Sequence, residues 1–384
     1  MDLRSDFITW YNNGFKTTQL YKDMENTVEG SPWHRERSVA IHTDMVVSQY
    51  ISWAHRKWDI NVLIGAVACA FHDTGKPSAR VVKFKPERGE YNSFGGHEII
   101  SARLWEDFAV KHAQDMQLLF NATTTEDYYN LIYRVGFVIE HHMPYSQSSE
   151  KIQDMATTAK VLFARPDPDD SSITTYDSIF QNHLMADAVG RIADDHSDKI
   201  QSVQNWIFEF DKKMYKPFRP DGVIHAGKTL IVPIGPSGCG KSTLLKNIMK
   251  QVPSIKHYSW DNLRLEWYSP DYDKAFKMST EDKHFRERYM KVFNDFILAG
   301  ETIYVDNTNL SRKRRRPWID AARKHGYNVI GYVFPTTLDT VIKRQKTRGD
   351  KNVPEDAVRQ HYMSLQGPLL GEFDAINVIN TNEE

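Results

Sequence analysis

The feature that most constrains this chain is a glycine-rich run between an apolar strand pattern and a helical pattern. Residues 235–242 spell GPSGCGKS and match G-x-x-x-x-G-K-[ST] in full. The run follows TLIVPI and opens STLLKNIMK, so it lies at a strand-to-helix turn. Glycine there lets backbone N–H groups close around phosphate oxygens at a helix N-terminus. The sequence therefore predicts a phosphate-binding loop.

This loop defines a set of expected nucleotide contacts. We expect Lys241 to reach the β- and γ-phosphates and the Ser242 hydroxyl to hold Mg²⁺. The full set is Gly235, Ser237, Gly238, Cys239, Gly240, Lys241, Ser242 and Thr243. ATP or another NTP with Mg²⁺ is the expected cofactor, and a glycine turn without a ligand is the alternative.

Periodicity divides the chain into two domains. Residues 1–215 carry apolar residues at helical spacing and predict an all-α domain. Residues 222–384 alternate β-rich runs such as ETIYV and NVIGYV with helical stretches, and predict an α/β domain with a parallel sheet. The seam at 212–225 holds two prolines and a glycine. Residues 164–172 predict a loop or a disordered tip.

Composition describes an ordinary globular protein. Of 384 residues, 40% are hydrophobic, and no apolar run approaches the roughly 18 residues that span a bilayer. The two cysteines, Cys69 and Cys239, are far apart, which predicts no disulfide and a cytoplasmic protein, in a host cell if a phage carries the gene. Residues 1–220 carry 24 basic and 30 acidic groups, and the remainder carries 25 and 20. A basic second half suits phosphate-rich ligands.

Charged residues beyond the loop narrow the reaction. Asp261, after IKHYS, is placed to accept a proton from an attacking hydroxyl, although such a residue alone is more often a helix N-cap. Asp306 ends ETIYV, where a second carboxylate supports Mg²⁺. Arg344 and Arg348 are four residues apart, so a helix would place both on one face, over the triphosphate. The charged run at 312–316 predicts a solvated helix start with one or two contacts to a nucleic-acid backbone.

These segments resemble the phage-type polynucleotide kinase family over residues 228–370. The resemblance rests on GPSGCGKST, WDNLR, DNTNLSRKRRRPW, VIKRQKTRG and NVPEDAVRQHYMSL. It implies that Asp261 is the general base for a 5′-hydroxyl and that Arg264 contacts the acceptor's 3′-phosphate. Arg344 and Arg348 become lid residues on the donor phosphates. The further expected substrate contacts are Asp306, Thr308 and Asn309. The best-known phage enzyme has serine–aspartate where this chain has DN before TN.

The first half carries residue types that bind transition metals. The run FHDTGKP ends the apolar helical pattern GAVACAF. The candidate ligands are His42, His72, Asp73, His97, His141, His142 and Asp187. Imidazoles and carboxylates suit Mn²⁺, Fe²⁺, Co²⁺, Ni²⁺ or Zn²⁺, and such ions generate hydroxide near neutral pH. Each histidine alone is more often structural, but the ordered set predicts a metal site.

This order resembles the HD phosphohydrolase superfamily over about residues 30–200. The resemblance implies two metal ions with Asp73 as the bridging ligand, and Lys76 as a point charge on the phosphate. It assigns His42, His72, Asp73 and Asp187 to the first ion. His97 joins one or both of His141 and His142 at the second. Adjacent helical residues diverge by about 100°, so one ion does not easily take both, and His141 is favoured.

The fusion of the two domains resembles the end-healing enzymes called HD-Pnk. The resemblance implies removal of 2′,3′-cyclic phosphate or 2′(3′)-phosphate by the first domain and 5′-phosphorylation of RNA or DNA ends by the second. A ligase acting downstream is an expected partner. Three alternatives stay open: an HD domain that hydrolyses free nucleotides, an HD domain that only binds nucleic acid, and a second domain that is a small-molecule kinase or an NTPase switch.

Overall fold

The computed structural model describes residues 2–29, 34–54, 58–87, 89–143, 149–166, 174–193, 196–212, 227–348 and 353–381. The chain divides into two compact units, Met1–Lys216 and Pro217–Glu384. Most of the seam predicted at 212–225 lies outside the described residues. Within the described ranges, every helix is too short or too polar to cross a membrane.

The first unit is mainly helical, as the periodicity predicted. Its helices are α1 (Leu3–Asn13), α2 (Gln19–Glu25), α3 (Val39–Trp53), α4 (Ile60–Phe71), α5 (Lys76–Ala79), α6 (His97–Lys111), α7 (Ala113–Phe120), α8 (Thr125–Glu140), α9 (Ser149–Leu162), α10 (Ile179–Val189) and α11 (His196–Asp211), with a 3₁₀ turn at Phe15–Thr17.

The prediction of an all-α domain is wrong in two places, because the first unit also contains two antiparallel hairpins. One pairs β1 (Val81–Lys85) with β2 (Gly89–Ser93). The other pairs β3 (Ala164–Pro166) with β4 (Thr174–Tyr176), so the segment predicted as a loop begins as a strand, and its residues 167–172 lie outside the described part. Valine and phenylalanine in β1 favour extended backbone, and pairing with β2 supplies the hydrogen bonds.

Helix α4 forms the centre of the first unit. Every residue from Asn61 to Phe71 is buried, as expected of a helix that is apolar all round. It packs against α3, α8 and α10. A Cβ on Gly65 would lie 2.5 Å from Cζ of Tyr50, so glycine permits the close approach of α3. Because α4 ends at Phe71, the next residues, His72 and Asp73, emerge among these neighbouring helices.

The second unit is an α/β fold, which confirms the predicted parallel sheet. Its strands are β5 (Thr229–Ile234), β6 (Lys256–Tyr258), β7 (Ile303–Val305), β8 (Asn328–Val333) and β9 (Ala375–Val378), in the order β6-β7-β5-β8-β9. All neighbouring pairs are parallel. The helices are α12 (Lys241–Gln251), α13 (Trp260–Trp267), α14 (Tyr272–Glu281), α15 (Phe285–Leu298), α16 (Arg312–Lys324), α17 (Leu338–Lys346) and α18 (Glu355–Met363).

The sheet separates two apolar clusters. Leu230 and Val232 of β5 belong to one cluster, and Ile231 belongs to the other. Successive strand residues point to opposite faces, so this alternation shows a sheet that is covered on both sides. The carboxyl ends of β5 and β7 therefore meet at one edge, where the glycine loop and Asp306 follow.

Candidate metal centre and nucleotide site

Five helices bring the predicted metal ligands of the first unit together. His42 lies within α3, His72 and Asp73 follow α4, His97 begins α6, His142 follows α8, and Asp187 lies in α10. All six side chains are buried, with Asp187 the most exposed at 9%. The sequence separations are large, so only the packing of these helices creates the cluster.

The first group of ligand atoms surrounds Nε2 of His42. This atom lies 3.1 Å from Oδ1 of Asp187, 3.3 Å from Nε2 of His72 and 3.5 Å from Oδ2 of Asp73. Nε2 of His72 also lies 3.2 Å from Oδ2 of Asp73. Metal bonds of about 2.1 Å place neighbouring ligand atoms about 3.0–3.4 Å apart. These separations therefore suit one ion with four protein ligands.

The second group uses the other oxygen of Asp73. Its Oδ1 lies 3.1 Å from Nε2 of His97 and 3.7 Å from Nε2 of His142, and the two nitrogens are 3.1 Å apart. Asp73 thus offers one carboxylate oxygen to each group. This is the arrangement of a bridging carboxylate.

The structure places His142 rather than His141 in the second group, which corrects the preference drawn from the sequence. The His141 Nδ1 atom bonds to the carbonyl of Phe137 at 2.8 Å, and its ring packs on the Phe137 ring. Helix α8 ends at Glu140, so the chain turns there and brings the second histidine to the cluster.

Backbone carbonyls fix the tautomers of the four clustered histidines. Their Nδ1 atoms lie 2.7–2.9 Å from carbonyl oxygens, namely His42 from Gly190, His72 from Cys69, His97 from Phe94 and His142 from Ile139. A carbonyl only accepts, so Nδ1 carries the proton and Nε2 presents a lone pair. Facing lone pairs 3.1–3.3 Å apart repel, and a cation between them removes that repulsion. The donor set fits a transition metal.

The carboxylates of the cluster are held in their charged form. Burial opposes ionisation of Asp73, but His72 and Lys76 outweigh it and hold its pKa well below the usual range. Burial likewise opposes ionisation of Asp187, and the adjacent His42 imidazole outweighs that effect, so the pKa of Asp187 is also lowered. Burial, with His97 nearby, lowers the pKa of His142 and keeps it neutral. Charged carboxylates and a neutral imidazole are the ligating forms.

Lys76 lies at the edge of the cluster but is already paired. Its Nζ is 2.6 Å from Oε1 of Glu29 and 2.8 Å from Oδ2 of Asp73, and the side chain is buried. Burial opposes its charge, yet the two carboxylates outweigh that and raise its pKa. The predicted contact with a phosphate would require Lys76 to exchange Glu29 for the ligand.

Two further residues support the cluster and were missed in the sequence. Glu36 Oε1 lies 3.1 Å from Nδ1 of His42, while its Oε2 accepts a hydrogen bond from the Ile192 amide. His183 packs its ring 5.7 Å from that of His72, and its Nδ1 is 3.2 Å from Sγ of Cys69. The spacing of four residues between His183 and Asp187 was a usable signal on a helix. Glu36 belongs to no motif.

The glycine loop of the second unit has the conformation that its sequence requires. Gly238 and Gly240 have φ of +91° and +114°, which favours glycine. A Cβ on Gly238 would lie 3.0 Å from the carbonyl oxygen of Val341 in α17. Nζ of Lys241 donates to the carbonyls of Gly235 at 2.9 Å and Pro236 at 2.7 Å. The amine is folded back onto the loop, and Ser242 and Thr243 are exposed at the start of α12.

The two arginines predicted to be lid residues reach this loop, but they do not share a helix face. Helix α17 ends at Lys346 with Thr347 as its cap, so Arg348 lies beyond it and the predicted helical spacing is wrong there. Nη1 of Arg348 donates to Oγ of Ser237 at 3.1 Å. Arg344 bonds to Thr381, whose hydroxyl donates to the Cys239 carbonyl at 2.8 Å.

Asp261 occupies the second position of α13. Ser259 is the N-cap, with Oγ 3.4 Å from the amide of Asn262, so the alternative of Asp261 as a cap is wrong. Oδ1 of Asp261 accepts from Nη1 of Arg264 and from the Tyr272 hydroxyl, both at 3.0 Å. Burial and then Asp261 raise the pKa of Tyr272 to about 12. The carboxylate is 37% exposed and oriented by two donors.

Asp306 follows β7 and pairs with a histidine that sequence reasoning missed. Nε2 of His257, in β6, lies 2.9 Å from Oδ2 of Asp306. The other ring nitrogen, Nδ1, lies 3.4 Å from the side-chain amide nitrogen, Nδ2, of Asn262. An amide nitrogen only donates, so Nδ1 accepts and Nε2–H donates to the carboxylate. His257 therefore orients Asp306, and its place on the neighbouring strand appears only once the sheet order is known.

Asn309 is a structural residue, which corrects its prediction as a substrate contact. Its side chain is 3% exposed, and its amide donates to the carbonyls of Pro233 at 2.8 Å and Val305 at 3.1 Å. It thereby joins the carboxyl ends of β5 and β7. Thr308 is half-buried, and its carbonyl accepts from the Gly235 amide at 3.1 Å.

The charged run at 312–316 is divided between core and surface. Arg315 is fully buried, with Nη2 2.8 Å from Oε2 of Glu372 and Nη1 3.0 Å from the Asn309 carbonyl. The exposed members are Lys313, Arg314 and Arg316. A buried arginine that braces the loop after β7 was not expected from a run that looked solvated.

Comparison with known proteins agrees with the fold of the second unit. A family model described as an AAA domain matches residues 230–368. The chain is similar to a gluconokinase from Sinorhizobium meliloti 1021 at 18% sequence identity, over 42% of this chain and 86% of that chain, with a TM-score of 0.31. The second unit is an α/β domain with a P-loop, a loop that implies an NTP with Mg²⁺.

Two other solved structures are similar to parts of the chain. One is the Pnkp1/Rnl/Hen1 RNA repair complex, at 19% identity over 37% of this chain and 45% of that chain, with a TM-score of 0.31. The other is the PezAT toxin–antitoxin system of Streptococcus pneumoniae, at 15% identity over 47% and 76%, with a TM-score of 0.29.

Proposed function

We propose that the chain is a bifunctional enzyme that heals broken nucleic-acid ends. The first unit, as an HD-type phosphohydrolase, removes 2′,3′-cyclic phosphate or 2′(3′)-phosphate groups. The second unit transfers the γ-phosphate of an NTP to a 5′-hydroxyl. Many nucleases leave these two blocked ends, and a ligase needs both repaired, so one chain with both activities is chemically coherent.

The observation that carries the proposal is the position of Asp73. One oxygen lies among His42, His72 and Asp187, and the other lies beside His97 and His142. Two ions held on either side of a shared carboxylate would lower the pKa of water and offset charge on phosphate oxygens. A purely scaffolding role gives no reason to bury six ligating side chains with their lone pairs converging.

Within the second unit, each part of phosphoryl transfer has a candidate residue. Asp261 accepts the proton of the attacking 5′-hydroxyl, and the donors Arg264 and Tyr272 hold its carboxylate in place. Lys241 leaves the loop carbonyls to contact the β- and γ-phosphates. Arg344, beside the loop, neutralises charge that develops during transfer.

Three other assignments complete the kinase site. Arg348 contacts the donor phosphates from the Ser237 side of the loop. Ser242 and Asp306 support Mg²⁺, the latter oriented by His257. Arg264 also meets the acceptor phosphate next to the reacting hydroxyl, which puts an acceptor contact beside the general base.

The test is a nicked RNA that carries a 5′-hydroxyl and a 2′,3′-cyclic phosphate, incubated with ATP, Mg²⁺ and Mn²⁺ or Ni²⁺. Each terminus is followed separately. We expect the wild-type protein to convert both ends, Lys241→Ala to lose only 5′-phosphorylation, and His72→Ala to lose only removal of the cyclic phosphate. Loss of both activities in one folded variant would contradict the two-site account.

The same assay separates the alternatives. Hydrolysis of free nucleotides without any change at the blocked end would assign the first unit to mononucleotides. Full conversion by His72→Ala would make the cluster a nucleic-acid-binding module without catalysis. Phosphorylation of a small hydroxylated metabolite, but not of the RNA, would make the second unit a small-molecule kinase, and ATP hydrolysis without any acceptor would make it an NTPase switch.

A further inference from the structure

Strand β1 of the β1–β2 hairpin is exposed along its whole length, whereas most of β2 is half-buried. All five residues of β1 are exposed, including Val81 and Val82 at 55% and Phe84 at 69%. A hairpin that contributes little to a core and presents a phenyl ring to solvent is typical of an interaction surface. The packing of the unit does not explain why these residues are there.

The pairing register places cations and an aromatic ring side by side. Lys83 pairs with Tyr91 and Lys85 with Gly89, so these three side chains share one face of the ribbon. Phe84 pairs with Glu90 on the opposite face. Residues 80–93 contain four basic and two acidic residues, whereas residues 1–220 as a whole carry six more acidic than basic groups. The hairpin is a basic element on an acidic unit.

Both ends of the hairpin are joined to the cluster of candidate metal ligands, called the metal cluster below. It follows α5, which contains Lys76, and it leads through Phe94, whose carbonyl holds Nδ1 of His97. Nδ2 of Asn92 donates to the carbonyl of Val28 at 2.8 Å, next to Glu29, the partner of Lys76. The base of the ribbon is therefore fixed at the rim of the site, while the residues of β1 are exposed to solvent.

We propose that this hairpin binds the single-stranded nucleic acid whose terminus enters the metal cluster, an inference that rests on the proposed function. Lysines neutralise backbone phosphates, and exposed aromatic rings stack with bases of any sequence. The occupant is nucleic acid rather than protein because the cores of protein interfaces are depleted of lysine. The hairpin would make the first unit act on strand ends in preference to free nucleotides.

The test compares two substrates that carry the same reacting group. One is a 2′,3′-cyclic mononucleotide, and the other is a 5′-phosphorylated ten-nucleotide strand ending in that group, both with Mn²⁺ and the full-length chain. In the wild type we expect a higher kcat/KM for the strand. In Lys83→Ala/Lys85→Ala, and separately in Phe84→Ala, we expect the ratio of the two kcat/KM values to fall about tenfold. The lysine variant should also show a weaker salt dependence.

The matched control is Phe208→Ala/Lys212→Ala, at the end of α11 and at the residue that follows it. Phe208 is 61% exposed, and Nζ of Lys212 lies 3.8 Å from its ring centroid, so the control also removes an exposed ring and a cation. We expect its ratio to equal that of the wild type. An equal ratio in the hairpin variants as well would overturn the inference, as would equal losses on both substrates, which would indicate a structural role.

Two further outcomes separate this inference from the proposed function. A wild type that hydrolyses both substrates without preferring the strand overturns the hairpin's role alone. A wild type that hydrolyses neither overturns the proposed function and this inference with it. If the variants change only the sedimentation mass of the chain, the hairpin is an interface between copies and does not bind the strand.

Discussion

The two candidate sites are built in different ways. The metal cluster is made of side chains from five helices, all buried, with each histidine nitrogen fixed by a carbonyl. The nucleotide site is made of one continuous loop, exposed at Ser242 and Thr243, whose Lys241 amine is folded back on carbonyls. Under the proposed function, the first is organised before metal binds, whereas Lys241 would have to leave these carbonyls when the nucleotide binds.

This difference predicts which properties a mutation in each unit should change. Removal of one ligand from the metal cluster leaves the remaining buried charges and lone pairs uncompensated. Removal of one charge beside the glycine loop leaves a solvated pocket whose backbone still binds phosphate. We therefore expect changes in the first unit to affect metal content and activity together, and changes in the second to affect activity while nucleotide binding persists.

The largest expected effect is that of Asp73→Asn. The amide keeps the shape but removes the charge that both ligand groups share, and metal ions supply several kcal/mol to such reactions. We expect removal of the cyclic phosphate to fall about a thousandfold and kinase activity to remain, as measured on the nicked RNA. Asp107→Asn, on α6 and paired with Lys111, is the control. If Asp73→Asn removes the cyclic phosphate at more than a tenth of the wild-type rate, the contrast drawn between the two sites is wrong.

Asp261→Ala should come next. Loss of a general base costs about 10²–10⁴ in rate, so 5′-phosphorylation should fall at least about a hundredfold while ATP affinity, measured by calorimetry, stays within about twofold. Asp320→Ala, at an exposed position of α16, serves as the control. If ATP binding is lost as well, the second unit is not the tolerant site that the comparison requires.

Glu36→Gln tests the same contrast with a residue that is not one of the candidate metal ligands around Asp73. Glu36 is a positioning residue that acts through His42, and losses of such partners typically lower metal affinity by about 10–100-fold. We expect the Mn²⁺ concentration for half-maximal hydrolysis to rise about tenfold, with the maximal rate restored at high Mn²⁺. Glu25→Gln, exposed on α2, is the control. A lower maximal rate that Mn²⁺ does not restore would indicate a structural role.

His257→Ala should have the smallest effect. Without the hydrogen bond to Asp306, the carboxylate loses its orientation but not its charge. We expect the Mg²⁺ concentration for half-maximal kinase activity to rise by about threefold to tenfold, and His257→Gln to restore most of the difference. His284→Ala, largely exposed in the same unit, is the control. An unchanged Mg²⁺ dependence would show that the pair does not position the metal.

Patterns formed by consecutive residues predicted more of the structure than patterns formed by residues far apart in the sequence. The glycine loop, β5 and α12 follow from one run of residues, because a strand, a turn and a helix in sequence fix their own geometry. The parallel sheet also followed from alternation, whereas β9 carried no distinct signal among the loops after α18. The hairpin of Val81–Ser93 was missed because helical spacing on both sides dominated the pattern.

The sequence predicted the set of candidate metal ligands that the fold brings together, but it did not predict the details of that set. The types and order of His42, His72, Asp73, His97 and Asp187 indicated a site, since so many potential metal ligands rarely occur in this order by chance. The choice between His141 and His142 depended on where α8 ends, which spacing did not reveal. Asn309 and Lys76 were also incompletely predicted. The sequence did not show that they are buried, or that Asn309 donates to backbone carbonyls and Lys76 pairs with a carboxylate.

The most direct test of the two-ion cluster is anomalous diffraction from crystals grown with Mn²⁺, recorded at the manganese edge. We predict two peaks about 3.5–4 Å apart, one among His42, His72 and Asp187 and the other beside His97 and His142, with Asp73 between them. A single peak, or none within bonding distance of Asp73, would contradict the account.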